Sequence, residues 1–196
     1  TLRPYQREGF EWLSFLYDNS LGGVLADDMG LGKTLQTLAL IQHAKDRHDD
    51  STGKMPPFLV VAPTSVVSNW LAETRRFAPD LKSLYLTETV KRGGVTIEQM
   101  VDDVDIIITS YGLFRIDQDE YRSAKFSGLI LDEAQFVKNP ATQAAKQARD
   151  FPANFKLAIT GTPMENNLSE LWSMFAIVAP GLFSTLKRFD ETYRKP

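Results

Sequence analysis

The chain has 196 residues, of which 43% are hydrophobic and 24% are charged, and its formal net charge is −3. This length and composition are typical of one globular domain, and they exclude a disordered or collagen-like chain. Because the chain contains no cysteine, disulfides and thiolate metal sites are excluded. The small acidic excess means that any nucleic-acid surface must be local.

Short β-branched runs alternate along the chain with longer amphipathic stretches. Helices are predicted over residues 4–18, 33–47, 66–77, 139–150 and 169–179, with loops over residues 48–57 and 90–94. Strands are predicted over residues 23–26, 58–62, 83–86, 105–109, 128–132 and 156–160. Several of these strands are almost continuously apolar, which is typical of parallel strands buried on both faces. The pattern predicts an α/β fold with a mostly parallel central sheet and helices on both faces.

Polar motifs follow five of the predicted strands, and the first of them has the pattern of a phosphate-binding loop. Residues 26–34 read Ala-Asp-Asp-Met-Gly-Leu-Gly-Lys-Thr, between a strand and a helix. Gly30 and Gly32 let the backbone approach phosphate oxygens, Lys33 would neutralise phosphate charge, and the Thr34 hydroxyl would bind Mg²⁺. Asp27 stands where the strict motif has its first glycine.

A pair of acidic residues ends the strand predicted over residues 128–132. Asp132 at the strand tip is positioned to hold Mg²⁺ through its water shell, and Glu133 to orient and deprotonate an attacking water. An Asp-Glu pair is common by itself, but a phosphate loop about 100 residues upstream favours the catalytic interpretation.

Thr160 ends the last predicted strand, and Gly161, Thr162 and Pro163 follow it. Two interpretations remain open for this segment. It is either a hydroxyl-stabilised turn or a link between the nucleotide pocket and a second surface.

Taken together, these segments resemble the first RecA-like lobe of superfamily-two helicases and translocases, in particular the Swi/Snf branch. The opening Leu2-Arg-Pro-Tyr-Gln-Arg-Glu-Gly-Phe-Glu-Trp-Leu13 is similar to the first motif of that branch, and residues 28–34 match its phosphate loop, including the missing first glycine. The compact spacing of the motifs and the D-E-A-Q sequence favour a bacterial origin.

The resemblance implies a role for each matching residue. The ATP-binding residues would be Gln6, which reads adenine, and Asp28, Met29, Gly30, Leu31, Gly32, Lys33 and Thr34. Lys33 and Glu133 would be catalytic, and Thr34 and Asp132 would hold Mg²⁺. Coupling to nucleic acid would involve Gln135, where many relatives carry His, with Thr160, Gly161 and Thr162. Nucleic-acid contacts would come from Pro63, Thr64, Ser65, Asn69, Thr109, Ser110, Tyr111 and Lys138.

The resemblance also implies a motor with a second RecA-like lobe. Residues 1–180 would form the ATP-binding lobe and residues 181–196 the start of the connection to the second lobe of the parent chain. The cofactors would be ATP and Mg²⁺, and the main partner double-stranded DNA. No apolar run is long enough to predict a membrane helix, and the location would be cytoplasmic in a bacterium or nuclear in a eukaryote.

Three other functions are weighed beside this one. A strand-separating DNA or RNA helicase of a sister branch would share most of the motifs. A nucleotide-dependent binding module would bind ATP without turnover, but Glu133 argues against it. A small-molecule kinase would need a basic lid, which residues 134–136 do not provide.

Overall fold

A six-stranded sheet organises the chain in a computed structural model that describes residues 2–27, 30–48, 51, 53–161, 168–183 and 185–193. Its strands lie in the order β1-β6-β5-β2-β4-β3, and neighbouring strands pair in parallel. The strands are β1 (Gly23–Ala26), β2 (Phe58–Ala62), β3 (Ser83–Tyr85), β4 (Ile106–Ser110), β5 (Gly128–Leu131) and β6 (Phe155–Thr160). All six predicted strands are present, with ends shifted by one residue at most.

Ten helices in the described part of the chain surround this sheet. They are α1 (Pro4–Asp18), α2 (Lys33–Arg47), α3 (Thr64–Phe77), α4 (Val90–Gly93), α5 (Ile97–Val101), α6 (Tyr111–Ile116), α7 (Gln118–Ser123), α8 (Gln143–Asp150), α9 (Leu168–Val178) and α10 (Leu186–Tyr193). A 3₁₀ helix spans Ala134–Val137. Within the described residues, no helix is both long and apolar enough to cross a bilayer.

The sheet is covered on both faces, as its apolar strands predict. On one face, alternate residues such as Phe58 and Val60 pack with side chains of α1, α2 and α3. On the other face, Leu59 and Val61 pack with side chains of α6, α7, α8 and α9. All five residues of β2 are buried because this strand lies in the interior of the sheet, between the two helical layers.

The sequence prediction was wrong about the start of α8. The predicted helix over residues 139–150 begins only at Gln143, because Thr142 caps it by accepting a hydrogen bond from the Ala145 amide at 3.3 Å. Asn139 instead accepts from the Ala141 amide at 3.0 Å, two residues on, which stabilises a local turn. The short helices α4 to α7 were not predicted, and α4 occupies a segment predicted as a loop.

The strand order determines which polar motifs become neighbours. At the carboxyl edge, the loop after β1 lies beside the end of β6, followed by the ends of β5, β2 and β4. The pairing register sets Ala26 opposite Thr160, and Ala62 opposite Ser110. Neighbouring strands are about 4.8 Å apart, so motifs scattered over more than 130 residues form one continuous row.

Candidate active site

The loop between β1 and α2 has a backbone shaped for an anion. Gly30 and Gly32 both adopt left-handed conformations, with φ of 85° and 79°, and Gly32 is the N-cap of α2. The first N–H groups of a helix have no partner within the helix, and the helix dipole places partial positive charge there. The turn at the two glycines therefore leads directly into a helix start suited to phosphate.

Lys33 and Thr34 occupy the first turn of α2, and both side chains are half-buried. The ammonium group of Lys33 donates to the Asp27 carbonyl at 2.7 Å, which bridges the loop across its base. A lysine and a hydroxyl at a glycine-shaped helix start fit a nucleotide phosphate with its Mg²⁺. Asp28 and Met29 lie outside the described residues.

Gln6 of α1 contacts the phosphate loop directly. Its side chain is 8% exposed, accepts from the Arg3 amide at 2.9 Å, and donates to the Leu31 carbonyl at 3.3 Å. A Cβ atom placed on Gly32 would lie 2.5 Å from the Gln6 amide nitrogen. Gln6 therefore holds the start of α1 against the loop, beside the position predicted for the nucleotide.

Asp132 follows β5 and is held by hydrogen bonds from several directions. One carboxylate oxygen accepts from the indole nitrogen of Trp70 at 2.7 Å, and the other accepts from the Glu133 amide at 2.9 Å. Its carbonyl accepts from the Tyr111 hydroxyl at 2.7 Å, and its amide donates to the Val61 carbonyl of β2 at 2.8 Å. The carboxylate is therefore fixed before any ligand binds.

Burial raises the pKa of the Asp132 carboxyl above its usual value, and the charge of Glu133 adds to the increase. The hydrogen bonds from Trp70 and the Glu133 amide, and the nearby charge of Lys33, oppose the rise. The pKa of Glu73, on α3, is also raised, first by desolvation and then by the charge of Asp132. Asp132, Glu133 and Glu73 thus concentrate negative charge at a place where a divalent cation would be stabilised.

Glu133 has an unusual backbone conformation beside this carboxylate. Its φ of 49° is left-handed, which is uncommon for a residue other than glycine and is found more often at functional sites. One of its carboxylate oxygens accepts from the side-chain amide of Gln135 at 2.7 Å. The Oε1 atom of Gln135 in turn accepts from the Thr160 hydroxyl at 3.4 Å.

The three side chains Thr160, Gln135 and Glu133 therefore form a chain of hydrogen bonds from the end of β6 to the acidic pair. This is the geometry that the coupling role predicted for Gln135 and Thr160 would require. Gly161 directly follows Thr160, whereas Thr162 and the remainder of that motif lie outside the described residues.

The predicted nucleic-acid residues on α3 lie at the surface. Thr64, Ser65 and Asn69 are exposed, and Pro63 is the half-buried N-cap of the helix. These residues follow the carboxyl end of β2, which pairs with β5, the strand that precedes Asp132. Lys138 is also exposed, and its ammonium group forms an ion pair with Glu170 at 3.1 Å.

The residues at the end of β4 and the start of α6, which were predicted to contact nucleic acid, are largely buried. Thr109 has no exposed surface, and its hydroxyl accepts from the Tyr121 hydroxyl at 3.1 Å. The Thr109 side chain is therefore buried, so a contact with nucleic acid at this position would have to come from the backbone, and it stays a prediction. Ser110 is 8% exposed and caps α6 by accepting from the Leu113 amide at 3.2 Å. Tyr111 is 9% exposed and stacks on Phe136, with ring centroids 5.1 Å apart.

The contact between Trp70 and Asp132 was not predicted from the sequence. Trp70 is 1% exposed. A buried indole N–H needs a hydrogen-bond acceptor, so a polar partner could be expected. Which residue accepts depends on the pairing of β2 with β5 in the sheet.

Comparison of the chain with models of protein families identifies its family. The SNF2-related domain matches residues 5–196 of the chain. The chain belongs to the SNF2-related domain family. The predicted resemblance to the Swi/Snf branch is thereby confirmed.

Relatives with SNF2-related domains in bacteria and eukaryotes match the whole chain. The putative ATP-dependent helicase/translocase YwqA of Bacillus subtilis is 40% identical over 196 residues, which is 100% of this chain and 21% of that protein. The TATA-binding protein-associated factor MOT1 of Saccharomyces cerevisiae is 38% identical over 207 residues, covering 100% of this chain and 11% of the relative. This chain thus spans about a fifth or less of their length, and its bacterial origin stays a prediction.

A solved SNF2-type structure has the same fold. The Sulfolobus solfataricus SWI2/SNF2 ATPase core in complex with dsDNA superposes with a TM-score of 0.86 at 37% identity, covering 100% of this chain and 39% of that chain. The Sulfolobus solfataricus SWI2/SNF2 ATPase core domain matches with a TM-score of 0.83 at 36% identity, covering 100% of this chain and 38% of that chain. The predicted RecA-like α/β fold is confirmed.

Proposed function

We propose that this chain is the ATP- and Mg²⁺-binding lobe of a motor that moves along double-stranded DNA by hydrolysing ATP to ADP and phosphate. The observation that carries the proposal is the row of motifs at the carboxyl edge of the sheet. Along this edge, the phosphate loop after β1 is followed by Thr160 at the end of β6 and by the Asp132–Glu133 pair after β5. The exposed start of α3, after β2, comes next. The proposed nucleotide site and the proposed DNA surface would therefore share one edge of the sheet.

ATP would bind with its phosphates at the start of α2. The loop amides and Lys33 would surround the phosphate oxygens, and Gln6 would contact the adenine ring from its position against Leu31. Thr34 and Asp132 would hold Mg²⁺, which supplies charge neutralisation on the phosphates when it is bound. Asp132 is suited to this role because its carboxylate orientation is already fixed by two donors.

Glu133 would act on the attacking water. Its carboxylate orients the water and accepts its proton as the oxygen attacks the terminal phosphorus. The hydrogen bond from Gln135 limits the orientations of this carboxylate, and Thr160 orients Gln135 in the same way. Movement at the end of β6 would thereby change the position of the general base, which is the coupling that we propose.

Contacts with DNA would be made to the phosphate backbone. Thr64, Ser65 and Asn69 offer hydroxyl and amide groups on an exposed helix start. Ser110 ends β4, which neighbours β2, and Lys138 would add an exposed ammonium group. Contacts of this kind carry no base information, so binding should be independent of sequence and should weaken as salt increases. The Sulfolobus core of the same fold was solved with dsDNA.

The lobe by itself should hydrolyse ATP poorly. Among the described residues, no arginine forms a hydrogen bond or ion pair with Asp132 or Glu133, and an arginine finger contributes about 10³–10⁵ in rate to phosphoryl transfer. We propose that residues 1–180 form the lobe, that residues 181–196 begin the connection, and that a second RecA-like lobe supplies the missing arginine.

The experiment compares ATP turnover by these 196 residues and by the complete polypeptide that carries them, with and without double-stranded DNA. We expect the lobe to bind ATP with slow turnover, and the complete polypeptide to show DNA-stimulated turnover that Lys33→Ala and Glu133→Gln abolish. Fast DNA-stimulated turnover by the lobe alone would contradict the two-lobe proposal. Absence of ATP binding by both would contradict the proposed function altogether.

A second assay separates translocation from strand separation. A triplex-displacement assay reports movement along intact duplex, whereas a fluorescent forked duplex reports unwinding. We expect displacement without unwinding. Efficient unwinding from a single-stranded tail would instead favour the helicase alternative.

A further inference from the structure

Trp70 and Asp132 form a buried contact between α3 and the acidic pair. The indole nitrogen lies 2.7 Å from a carboxylate oxygen, and the two residues are 1% and 8% exposed. An indole has a single hydrogen-bond donor, so this contact uses the whole polar capacity of Trp70. A charge-assisted bond of this length is among the stronger hydrogen bonds in proteins.

The same tryptophan lies on the helix that presents the proposed DNA contacts. Asn69 precedes it directly, and Thr64 and Ser65 begin the helix about one and a half turns earlier. The Thr74 hydroxyl donates to the Trp70 carbonyl at 2.7 Å, one turn further on. Because a helix moves largely as a rigid unit, displacement of its exposed start would be transmitted to the indole.

A second hydrogen bond reaches Asp132 from the other side of the sheet. Tyr111 follows β4 and belongs to the core layer on the face opposite to Trp70. Its hydroxyl donates to the Asp132 carbonyl at 2.7 Å, while Trp70 donates to the side chain. Two segments predicted to face nucleic acid, at the ends of β2 and β4, therefore converge on one residue of the nucleotide site.

We propose that Trp70 is a positioning residue that fixes the Asp132 carboxylate for Mg²⁺ and links its orientation to contact between α3 and DNA, with Tyr111 supporting the same residue through its backbone. The inference rests on the proposed function, because it concerns regulation of the proposed Mg²⁺–ATP site. Neither residue would touch the nucleotide, so neither is a catalytic residue.

The test uses Trp70→Phe in the complete polypeptide. Phenylalanine retains an aromatic ring in the core but removes the N–H donor. Trp12→Phe is the matched control, since Trp12 is 40% exposed on α1 and packs near Gly23, away from Asp132. Thermal stability is measured for both variants, so that a loss of folding is recognised.

Two readouts separate positioning from packing. The first readout is the Mg²⁺ concentration at which binding of a fluorescent ATP analogue reaches half of its maximum. The second readout is the pair of kinetic constants kcat and KM for ATP, measured with and without DNA. We expect Trp70→Phe to raise the Mg²⁺ requirement and to lower DNA-stimulated kcat about tenfold. At saturating Mg²⁺, the KM for ATP and the affinity for DNA should stay within about twofold of the original values. Trp12→Phe should change none of these quantities.

Two further variants keep the test decisive if Trp70→Phe is unstable. Tyr111→Phe removes only the hydroxyl that donates to Asp132, and it should also reduce DNA-stimulated kcat. In an Asp132→Asn background, Trp70→Phe should cause little additional loss in Mg²⁺-dependent ATP binding, because the two residues act through one contact.

The outcomes distinguish the two proposals. An unchanged Mg²⁺ requirement and unchanged DNA stimulation in Trp70→Phe, with the original protein active, would overturn the positioning role alone. If the original protein shows no DNA stimulation, that part of the proposed function fails. Mg²⁺-dependent nucleotide binding then still decides whether Trp70 positions Asp132.

Discussion

The side-chain amide of Gln135 donates to the carboxylate of Glu133 at 2.7 Å, two residues earlier in the chain. The opposite end of the same amide accepts from Thr160 at 3.4 Å. Gln135 therefore lies between the proposed general base and the end of β6, and its two ends have different partners. An amide provides both a donor and an acceptor, so one side chain makes both contacts.

This relationship predicts that Gln135→Ala reduces turnover without preventing nucleotide binding. Loss of a hydrogen bond to a charged group costs about 1.5–3 kcal/mol, which corresponds to a reduction of kcat by about ten- to a hundredfold. Gln135→His supplies a ring N–H and should recover part of the rate. Steady-state kinetics with DNA and equilibrium binding of a fluorescent nucleotide test this. Weakened binding together with an unchanged kcat would contradict the proposed coupling.

Glu133→Gln should nearly abolish hydrolysis. A glutamine has almost the same shape and can still accept from Gln135, but it cannot accept a proton from water at neutral pH. General-base catalysis contributes about 10²–10⁴ in rate, and a loss of this size is expected in single-turnover measurements with saturating ATP. Glu120→Gln, on α7, is the control, since Glu120 forms no hydrogen bond with Asp132, Glu133 or Gln135 in the described part of the chain. Retention of more than about a tenth of the rate would exclude Glu133 as the base.

Gln6→Ala should remove the preference for adenine nucleotides. The side chain has a defined position because it bridges the Arg3 amide and the Leu31 carbonyl, and loss of its contacts should raise the KM for ATP about tenfold. The KM for GTP should change much less, so the ratio of the two is the quantity to measure. Gln143→Ala, an exposed glutamine on α8, is the matched control. Equal increases for both nucleotides would indicate a general disturbance of the loop.

Gly30 and Gly32 should differ in their tolerance of alanine. Both have positive φ, which costs about 1–2 kcal/mol for an alanine. A Cβ on Gly30 meets no atom within 4 Å, whereas a Cβ on Gly32 lies 2.5 Å from the Gln6 amide nitrogen. Urea unfolding in the absence of nucleotide should therefore show a larger loss of stability for Gly32→Ala. Equal losses would mean that Gln6 moves aside without cost.

Lys156 should make the stability of the fold depend on pH in the alkaline range. It is 5% exposed on β6, and its ammonium group donates to the carbonyls of Ala148 and Arg149 at the end of α8. Desolvation lowers the pKa of Lys156 to about 8, against the partial opposing effect of Asp150. Between this value and the unfolded value of 10.5, the unfolded chain binds more protons, so stability rises with pH.

The measurement compares the original chain with Lys156→Met by urea unfolding at two pH values. Other groups titrate in both proteins, so their contributions cancel in the difference. From pH 7 to pH 9.5, the original chain should gain about 2 kcal/mol in free energy of unfolding relative to the variant. A constant difference across this range would show that the folded pKa of Lys156 is close to its unfolded value.

The local pattern of the sequence was sufficient to predict the main elements. The apolar runs around Val60 and Ile107 predicted buried parallel strands, and the glycines before Lys33 indicated the turn into α2. These features depend on residues close together in the chain. The short helices α4 to α7 were missed because four to six residues contain too few turns for a helical period to be recognised.

The start of α8 illustrates how local capping is ambiguous in a sequence. Asn139 and Thr142 are both good N-cap residues, and Pro140 is compatible with the first turn of a helix. The structure uses Thr142 for the cap and Asn139 for the turn before it. The α8 helix that begins after this cap buries Ala145 and Ala148 against the sheet.

The sequence by itself determined which residues are candidates for ATP chemistry, since Lys33, Thr34, Asp132 and Glu133 occur in motifs whose spacing is local. Only the tertiary structure decided how these motifs are connected. The order of the strands places the segments that follow β2 and β4 close to Asp132. Trp70 and Tyr111, which lie in these segments, both contact Asp132. The same strand order also hides Thr109 in the core. Contacts between residues that are 62 and 21 positions apart depend on which strands are neighbours, and no local pattern in a single sequence encodes that order.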